Sequence, residues 1–314
     1  MQSSRSLTAA DLGVPLPPLP LDRRYDPRYG ECVEIAPSIR RVLAPNPSPY
    51  TFHGTGTYLV GRGRVAVIDP GPALPAHVAA LECALAGETV THLLITHTHA
   101  DHSPAAALLQ ASCGAPTYGY GPHGAGKREA GIAVEEGGDM DFVPDLRLRD
   151  GELLHGEGWT LEAVYTPGHT SNHLCFALRE ENALFSGDHV MGWSTTVIVP
   201  PDGDMAQYLA SLERLRVRDE YRYYPTHGAP IEDPQGFVSA LIAHRHARER
   251  QLLACLERGL PRIADMVPVV YSEIDPRLHP AAAMSVLAHL VHMVDTGRVA
   301  CDGPPGLDAE YRLP

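Results

Sequence analysis

Thr96-His97-Thr98-His99-Ala100-Asp101-His102 follows directly on the apolar run Leu93-Leu94-Ile95. Three imidazoles and a carboxylate therefore sit where a buried strand ends. Neutral imidazole is the commonest metal-binding side chain, and imidazoles mixed with carboxylates suit zinc and other first-row cations. One such segment cannot complete the shells of two cations, so further ligands have to arrive from elsewhere in the chain.

Working outward, the same event recurs. Alternating apolar residues predict a strand over 161–165, followed by the tight turn Thr166-Pro167-Gly168-His169-Thr170. Strands over 174–178 and 183–185 lead into Ser186-Gly187-Asp188, and a strand over 221–224 ends in Pro225-Thr226-His227-Gly228. Upstream, 57–60 and 64–69 read as a hairpin about Gly61-Arg62-Gly63, closed by Asp69-Pro70-Gly71. Short strands are expected at 33–36, 39–44, 116–118 and 146–148, and a long glycine-rich loop over 119–141. That loop is not a phosphate cradle, because it contains no GxxxxGK[ST]. Helices are predicted at 75–86, with proline in the first turn, at 104–111, with Ser103 as N-cap, at 205–216, with Asp204 as N-cap, and at 234–258. The tail reads as helices over 262–271 and 280–295 and a strand over 298–301, an order that suggests a winged-helix-like unit. The expected organisation is an extended arm over 1–30, a catalytic domain over 31–233, and a long helix plus winged-helix-like domain over 234–314.

The chain has 314 residues, 44% hydrophobic and 20% charged, which predicts a folded core. A formal net charge of -13 argues against a broad nucleic-acid footprint. The six cysteines are scattered without a CxxC pair, and read as small apolar residues in a reducing compartment. No stretch reaches the roughly 18 apolar residues of a membrane helix, and residues 1–30 contain no apolar signal core, so a cytoplasmic location is expected.

His97-x-His99-x-Asp101-His102, Gly168-His169, Gly187-Asp188 and His227-Gly228 together resemble the signature of the metallo-β-lactamase superfamily. The resemblance implies an α/β fold, an αββα metallo-β-lactamase sandwich with the site at one edge of its two sheets. Carried over residue by residue, it implies two divalent metal ions, zinc first, with manganese or iron as alternatives. His97, His99 and His169 would bind one; Asp101, His102 and His227 would bind the other; Asp188 would bridge them. Asp101 would also manage the proton of a bridging hydroxide. Gly54-Thr55-Gly56-Thr57-Tyr58-Leu59-Val60-Gly61, Asp69-Pro70-Gly71 and His244-Arg245 with Arg248-Glu249 extend the likeness to β-lactamase-like hydrolases that carry a C-terminal winged-helix extension. Two departures, Gly56 where that group often has Asn and Ser103-Pro104-Ala105 where it often has Ser-Gly-Gly, are expected at the substrate entrance.

Around these ligands, Asp69 is expected to support the ligand histidines from behind, and His173 to contact substrate or leaving group. Ser103 and Asn172 are weaker candidates, and Tyr118, Tyr120, His123 and Trp193 could line a pocket. The leading functional reading is a metal-dependent hydrolase of an ester, thioester or lactone, working as a homodimer. The alternative is a metal-dependent endoribonuclease on single-stranded RNA, with the basic run His244–Arg250 as its phosphate-contacting face. A β-lactamase and a DNA-binding regulator rank below these.

Overall fold

A computed structural model describes residues 7–125 and 137–314. The first six residues of the arm and the part of the glycine-rich loop that includes Gly126 and Gly131 lie outside the described residues.

Seven strands form the first sheet in sequence order: β1 (Cys32–Ala36), β2 (Ile39–Leu43), β3 (Gly56–Val60), β4 (Arg64–Ile68), β5 (Thr89–Leu94), β6 (Thr117–Gly119) and β7 (Leu146–Arg147). Pairing is antiparallel from β1 to β4 and parallel from β4 to β7. The parallel pairing of β4 and β5 requires a crossover, supplied by α1 (Pro75–Ala84); α2 (Ala105–Cys113) makes the next one. The second sheet runs β12–β11–β10–β9–β8, from β8 (Leu153–Gly156), β9 (Trp159–Tyr165), β10 (Leu174–Leu178), β11 (Ala183–Gly187) and β12 (Arg222–Pro225). Only the β11–β12 pair is parallel, and α3 (Met205–Arg216) lies in its crossover. The sequence reading missed β8, whose Leu-Leu-His-Gly has no alternation to betray it.

Strand alternation sorts the side chains into layers. In β4, Ala66 and Ile68 point between the sheets, where they meet Trp159, Leu161, Phe176 and Phe185 of the second sheet. Val65 and Val67 point the other way, against Leu81 of α1 and Leu109 of α2. The outer face of the second sheet, through Cys175, Leu184 and Tyr223, packs on Tyr208 and Leu212 of α3 and on Phe237 and Leu241 of α4 (Pro234–Glu257). The result is the expected αββα sandwich.

The far end of α4 enters a separate core with α5 (Ile263–Val270) and α6 (His279–Asp295), built on Leu252, Met266, Leu290 and Met293. A two-stranded ribbon of β13 (Ala300–Cys301) and β14 (Tyr311–Arg312) completes it. The N-terminal arm is ordered on this frame: Leu12 enters the α5–α6 core, Leu19 and Leu21 lie on the α3–α4 core, and the Asp22 amide donates to Gly192 O. Asp204 caps α3 as expected, its side chain accepting from the Gln207 amide. Ser103 does not cap α2, because its hydroxyl is turned to the Asp139 carboxylate at 2.7 Å. No helix among the described residues is long and apolar enough to cross a membrane.

Candidate metal centre

The C-terminal ends of β4, β5, β11 and β12 lie at one edge of the sandwich, where α/β proteins commonly bind ligands. Asp69 follows β4, the segment 96–102 follows β5, Asp188 follows β11 and His227 follows β12. The turn between β9 and β10 adds His169. Backbone bonds lock these ends together: Leu174 N donates to Thr96 O, Thr226 N to Gly187 O and Gly56 N to Thr226 O. The turn before His169 depends on Gly168, whose φ is +140°; a Cβ there would lie 2.3 Å from Tyr208 Cα in α3.

Three overlapping groups have donor atoms within 4.8 Å of one another: His97, His99 and His169; His97, His102 and Asp188; Asp101, His102 and His227. In the first group His99 Nδ1 lies 3.0 Å from His97 Nε2 and 3.2 Å from His169 Nε2. In the others Asp101 Oδ2 is 3.3 Å from His102 Nε2 and 3.2 Å from His227 Nε2, while Asp188 reaches His102, His227 and His169 at 3.6, 3.4 and 3.8 Å.

The far side of each ring decides which nitrogen faces inward. His102 Nδ1–H donates to Asp69 Oδ2 at 3.0 Å, His169 Nδ1–H to Val197 O at 2.7 Å, and His227 Nδ1–H to Gly54 O at 3.0 Å. Those acceptors have no proton to give, so each Nδ1 is the donor and each Nε2 is the atom turned to the centre. His102 Nε2 and Asp188 Oδ1 are buried without a hydrogen-bond partner. Such atoms are costly to bury unless something satisfies them.

The electrostatics point the same way. Burial pushes His97 well below its ordinary value, His99 down to about 3, and His169 down as well, so all three imidazoles are neutral. Burial alone would raise Asp101 and Asp188, but His102 and His227 hold both carboxyls well below the usual range. Conversely, burial disfavours charge on His227, yet Asp188 and Asp101 bring it up to about 10. Two buried carboxylates thus call for positive charge beside three neutral imidazoles. The donor set fits divalent cations, and first-row metals more than calcium or magnesium.

Asp69 is the hub behind the centre. Its φ is +48°, a region that non-glycine residues rarely adopt and that clusters at functional sites. Its Oδ1 accepts from Thr96 N, and its Oδ2 accepts from Thr96 Oγ1, His102 Nδ1 and Thr226 Oγ1, all within 3.1 Å. His173 is not at the substrate side. It is fully buried, its Nδ1 2.9 Å from Thr166 Oγ1 and its Nε2 accepting from the Asp188 amide at 3.2 Å. By strand alternation it shares the face of Cys175, two residues on, which is the outer face of the second sheet.

A cavity of about 80 Å³ opens on the donors and is lined by His99, Asp101, His169, Asp188 and His227 together with Tyr50, Met191, Trp193 and Val197. Of the four suggested pocket residues, Trp193 lines it. Tyr120 stacks on Tyr165, Tyr118 on His92, and His123 Nδ1 lies 3.0 Å from Thr98 Oγ1. Ser103 and Gly56, expected at an entrance, are buried and do not line the cavity. Asn172 is tied to Thr98 Oγ1.

Sequence reasoning missed Thr55, Thr196 and the arm. Thr55 Oγ1 donates to Asp101 Oδ2 at 3.0 Å, and Thr196 Oγ1 donates to Asp188 O at 2.7 Å. Arg23 of the arm donates to Trp193 O, whose ring stacks on Phe52 at 4.7 Å. The basic run of α4 is also corrected. Arg245 and Arg248 are buried and donate to the backbone oxygens of Thr196 and Val270. They hold the fold together and do not form a phosphate-contacting face.

Comparison with known proteins adds to this geometry. Residues 50–227 match the model of the Metallo-beta-lactamase superfamily, and residues 263–304 that of the Beta-lactamase associated winged helix domain. A lactamase-like protein, adaB of Aspergillus niger, is 36% identical over 76% of this chain and 69% of its own length. The atrochrysone carboxyl ACP thioesterase AgnL7 of Paecilomyces divaricatus is 33% identical over 95% of this chain and 90% of its own. Among solved structures, a metallo-beta-lactamase family protein from Thermus thermophilus superposes with a TM-score of 0.70, at 27% identity, over 90% of this chain and 100% of that one.

Proposed function

Since this chain belongs to the metallo-beta-lactamase superfamily and is a hydrolase of that class, we propose that it is a dinuclear metal-dependent thioesterase acting on acyl thioesters. The observation that carries the reading is the set of inward-facing Nε2 atoms of His102, His169 and His227, held at the floor of a small cavity walled by Tyr50, Met191, Trp193 and Val197. Relatives named as acyl-carrier-protein thioesterases supply the substrate class. His97, His99 and His169 would hold one cation and Asp101, His102 and His227 the second, with Asp188 between them. Divalent cations held there supply Lewis acidity, which acidifies water and polarises a carbonyl.

The chain's own residues do the rest. The apolar wall excludes bulk water from the carbonyl and strengthens every charge interaction in the cavity. Asp101 reaches the cavity with one carboxylate edge, and Thr55 fixes that edge by donating to Oδ2. In this position Asp101 takes a proton from the attacking water and passes it toward the leaving sulfur. A thiolate leaves readily, because a thiol has a pKa of only about 8.5. The cavity therefore needs no stronger acid than a carboxyl. An RNA substrate would need a basic groove, and Arg245 and Arg248 of the run proposed for it are buried.

The test is thiol release from acyl-N-acetylcysteamine thioesters by purified protein loaded with zinc, manganese or iron(II). Turnover should need the metal and vanish in Asp188→Asn, with the variant still folded. No thiol release with any of the three metals would sink the thioesterase reading.

A further inference from the structure

Between Leu12, in the α5–α6 core, and Asp22, beside Gly192, the arm reads Gly-Val-Pro-Leu-Pro-Pro-Leu-Pro-Leu. Proline fixes φ and favours an extended, stiff chain that rises about 3.1 Å per residue. The run follows α4 on its way. Gln251 Nε2 donates to Val14 O at 2.8 Å, and Leu19 and Leu21 lie on the α3–α4 core. Residues 22–25 are thereby brought against the segment 191–195, which lines the catalytic cavity through Met191, Trp193, Ser194 and Thr195.

That segment depends on the arm. Among the described residues, the backbones of Gly192 and Trp193 are hydrogen-bonded to the arm alone: Asp22 N donates to Gly192 O at 2.9 Å, and Arg23 Nε to Trp193 O at 3.3 Å. The residues that follow have braces of their own, Arg245 on Thr196 O and His169 on Val197 O. The Trp193 ring stacks on Phe52 at 4.7 Å and 10°. Phe52 has a φ of +57°, which a non-glycine residue keeps only where its surroundings hold it. Tyr25 of the arm does so, stacking on His53 at 5.6 Å and meeting Phe52 at 6.3 Å. Tyr50 and Thr51 of the same turn line the cavity. Arg41 lies against Tyr25, its guanidinium 4.8 Å from the ring centre, and donates to Gly228 O at 3.3 Å. Its stem runs over Gly56, where a Cβ would come within 3.0 Å of Arg41 Cδ.

We propose that residues 22–25 of the arm determine the size of the substrate. By pinning the Trp193–Phe52 pair they keep the catalytic cavity at about 80 Å³, and a bulky group on the reacting carbon is shut out. Pockets that enclose whole ligands run to about 300–1,000 Å³. Arg23 and Tyr25 are positioning residues: they act through Trp193 and Phe52 and line no part of the cavity themselves. The inference rests on the thioesterase reading only for the kind of group excluded. A hydrogen bond or an aromatic pair of this sort shifts an equilibrium about fivefold, so losing either frees the wall measurably.

The experiment uses full-length, zinc-loaded protein as wild type, Arg23→Ala, Tyr25→Ala and the double variant. Arg23 is exposed, so its replacement leaves the core untouched. Trp159, the other tryptophan, is buried, and collisional quenching of fluorescence by acrylamide therefore reports Trp193. Quenching should rise in each variant and most in the double one. Size preference is read as kcat/KM for benzoyl against acetyl N-acetylcysteamine thioester. It is read again as Kd for benzohydroxamate against acetohydroxamate, metal chelators whose binding needs no thioester chemistry. Both ratios should move toward the bulky member by about fivefold or more in the double variant, through KM for the thioesters. Arg28→Ala, which removes pairs to Asp26 and Glu31 on the same arm, should match wild type. Unchanged quenching, or unchanged size ratios in the double variant, would overturn the proposal. If no thioester is cleaved yet quenching and the hydroxamate ratio both shift, the thioesterase reading fails and the role of the arm stands.

Discussion

Replacing Asp69 by asparagine keeps the shape of the side chain and removes one acceptor. The carboxylate takes four hydrogen bonds, one at Oδ1 from the Thr96 amide and three at Oδ2 from Thr96 Oγ1, His102 Nδ1 and Thr226 Oγ1. An amide has a single acceptor oxygen. With that oxygen at the Oδ1 position, the amide NH2 confronts His102 Nδ1–H; with it at Oδ2, the NH2 confronts the Thr96 amide. The threonine hydroxyls can turn to accept, but each of the other two is a fixed, buried donor. One of them is left unpaired, at a cost of about 1–3 kcal/mol. His102 can escape only by moving its proton to Nε2, the atom aimed at Asp101 and Asp188. That removes a lone pair from the metal centre, and changes behind a ligand of this kind cost about 10–100-fold in metal affinity. Asp69→Asn should therefore lower both the urea stability of the chelated protein, by about 1–3 kcal/mol, and the affinity for zinc in competition with a chromogenic chelator. Asp145→Asn, which loses contacts to Gln110 and Thr117 outside the centre, should leave zinc affinity unchanged. An Asp69→Asn protein equal to wild type in zinc affinity would refute the claim that this carboxylate sets the His102 tautomer.

Three further outcomes are expected. Gly168→Ala puts a Cβ against the backbone of Tyr208 and should cost about 2 kcal/mol or more, with loss of metal uptake; a normally stable, fully loaded variant would contradict the turn geometry. Arg245→Met removes the donor to Thr196 O, the residue whose hydroxyl holds Asp188 O, and should destabilise the chelated protein by about 1–3 kcal/mol, read by urea unfolding. It should also weaken zinc binding, and an unchanged affinity would show that the 189–199 segment holds its place without the arginine. The third concerns pH. Burial lowers His289 to about 4, below the unfolded value of about 6.5, so below that value the unfolded chain binds the extra proton. Stability is then lost progressively from about pH 6.5 down to pH 4, by up to about 3 kcal/mol from this residue. Glu249 adds to the loss only at lower pH, since His289, Arg298 and His292 overcome its burial and hold its carboxyl well below the usual range. Urea unfolding of chelated wild type and His289→Gln across this window should show a shallower slope for the variant; parallel slopes would contradict the assignment.

Much of the frame was legible because the signals are local. Short apolar runs between turn signals identified β4 and β10, and the first-turn proline placed the start of α1 at Pro75. The four motifs were legible for the same reason: each is a polar residue directly after an apolar strand, and a strand's end is a local event. The failures are equally specific. His173 carries the same imidazole as His169 four residues earlier, yet His169 sits in the turn before β10 and lines the cavity, while His173 enters the strand and lies behind Asp188. The run around Arg245 reads as charged, yet α4 is wrapped by Tyr208, Thr196 and Tyr271, so its arginines are interior braces. Linear charge says nothing about which side of a helix is covered.

The division falls between residue identity and residue orientation. Ligand types, their order along the chain and the sandwich itself follow from short-range patterns, because backbone geometry and apolar periodicity act over a few residues. Which nitrogen of each imidazole faces inward was decided by Asp69, Val197 and Gly54, which approach those rings from 33, 28 and 173 residues away. The same holds for the wall of the catalytic cavity, where segments near residues 23, 52 and 193 meet though no local rule brings them together. Hydrogen-bond direction and enclosed volume depend on atoms within a few ångströms in space, and only the folded chain sets those distances.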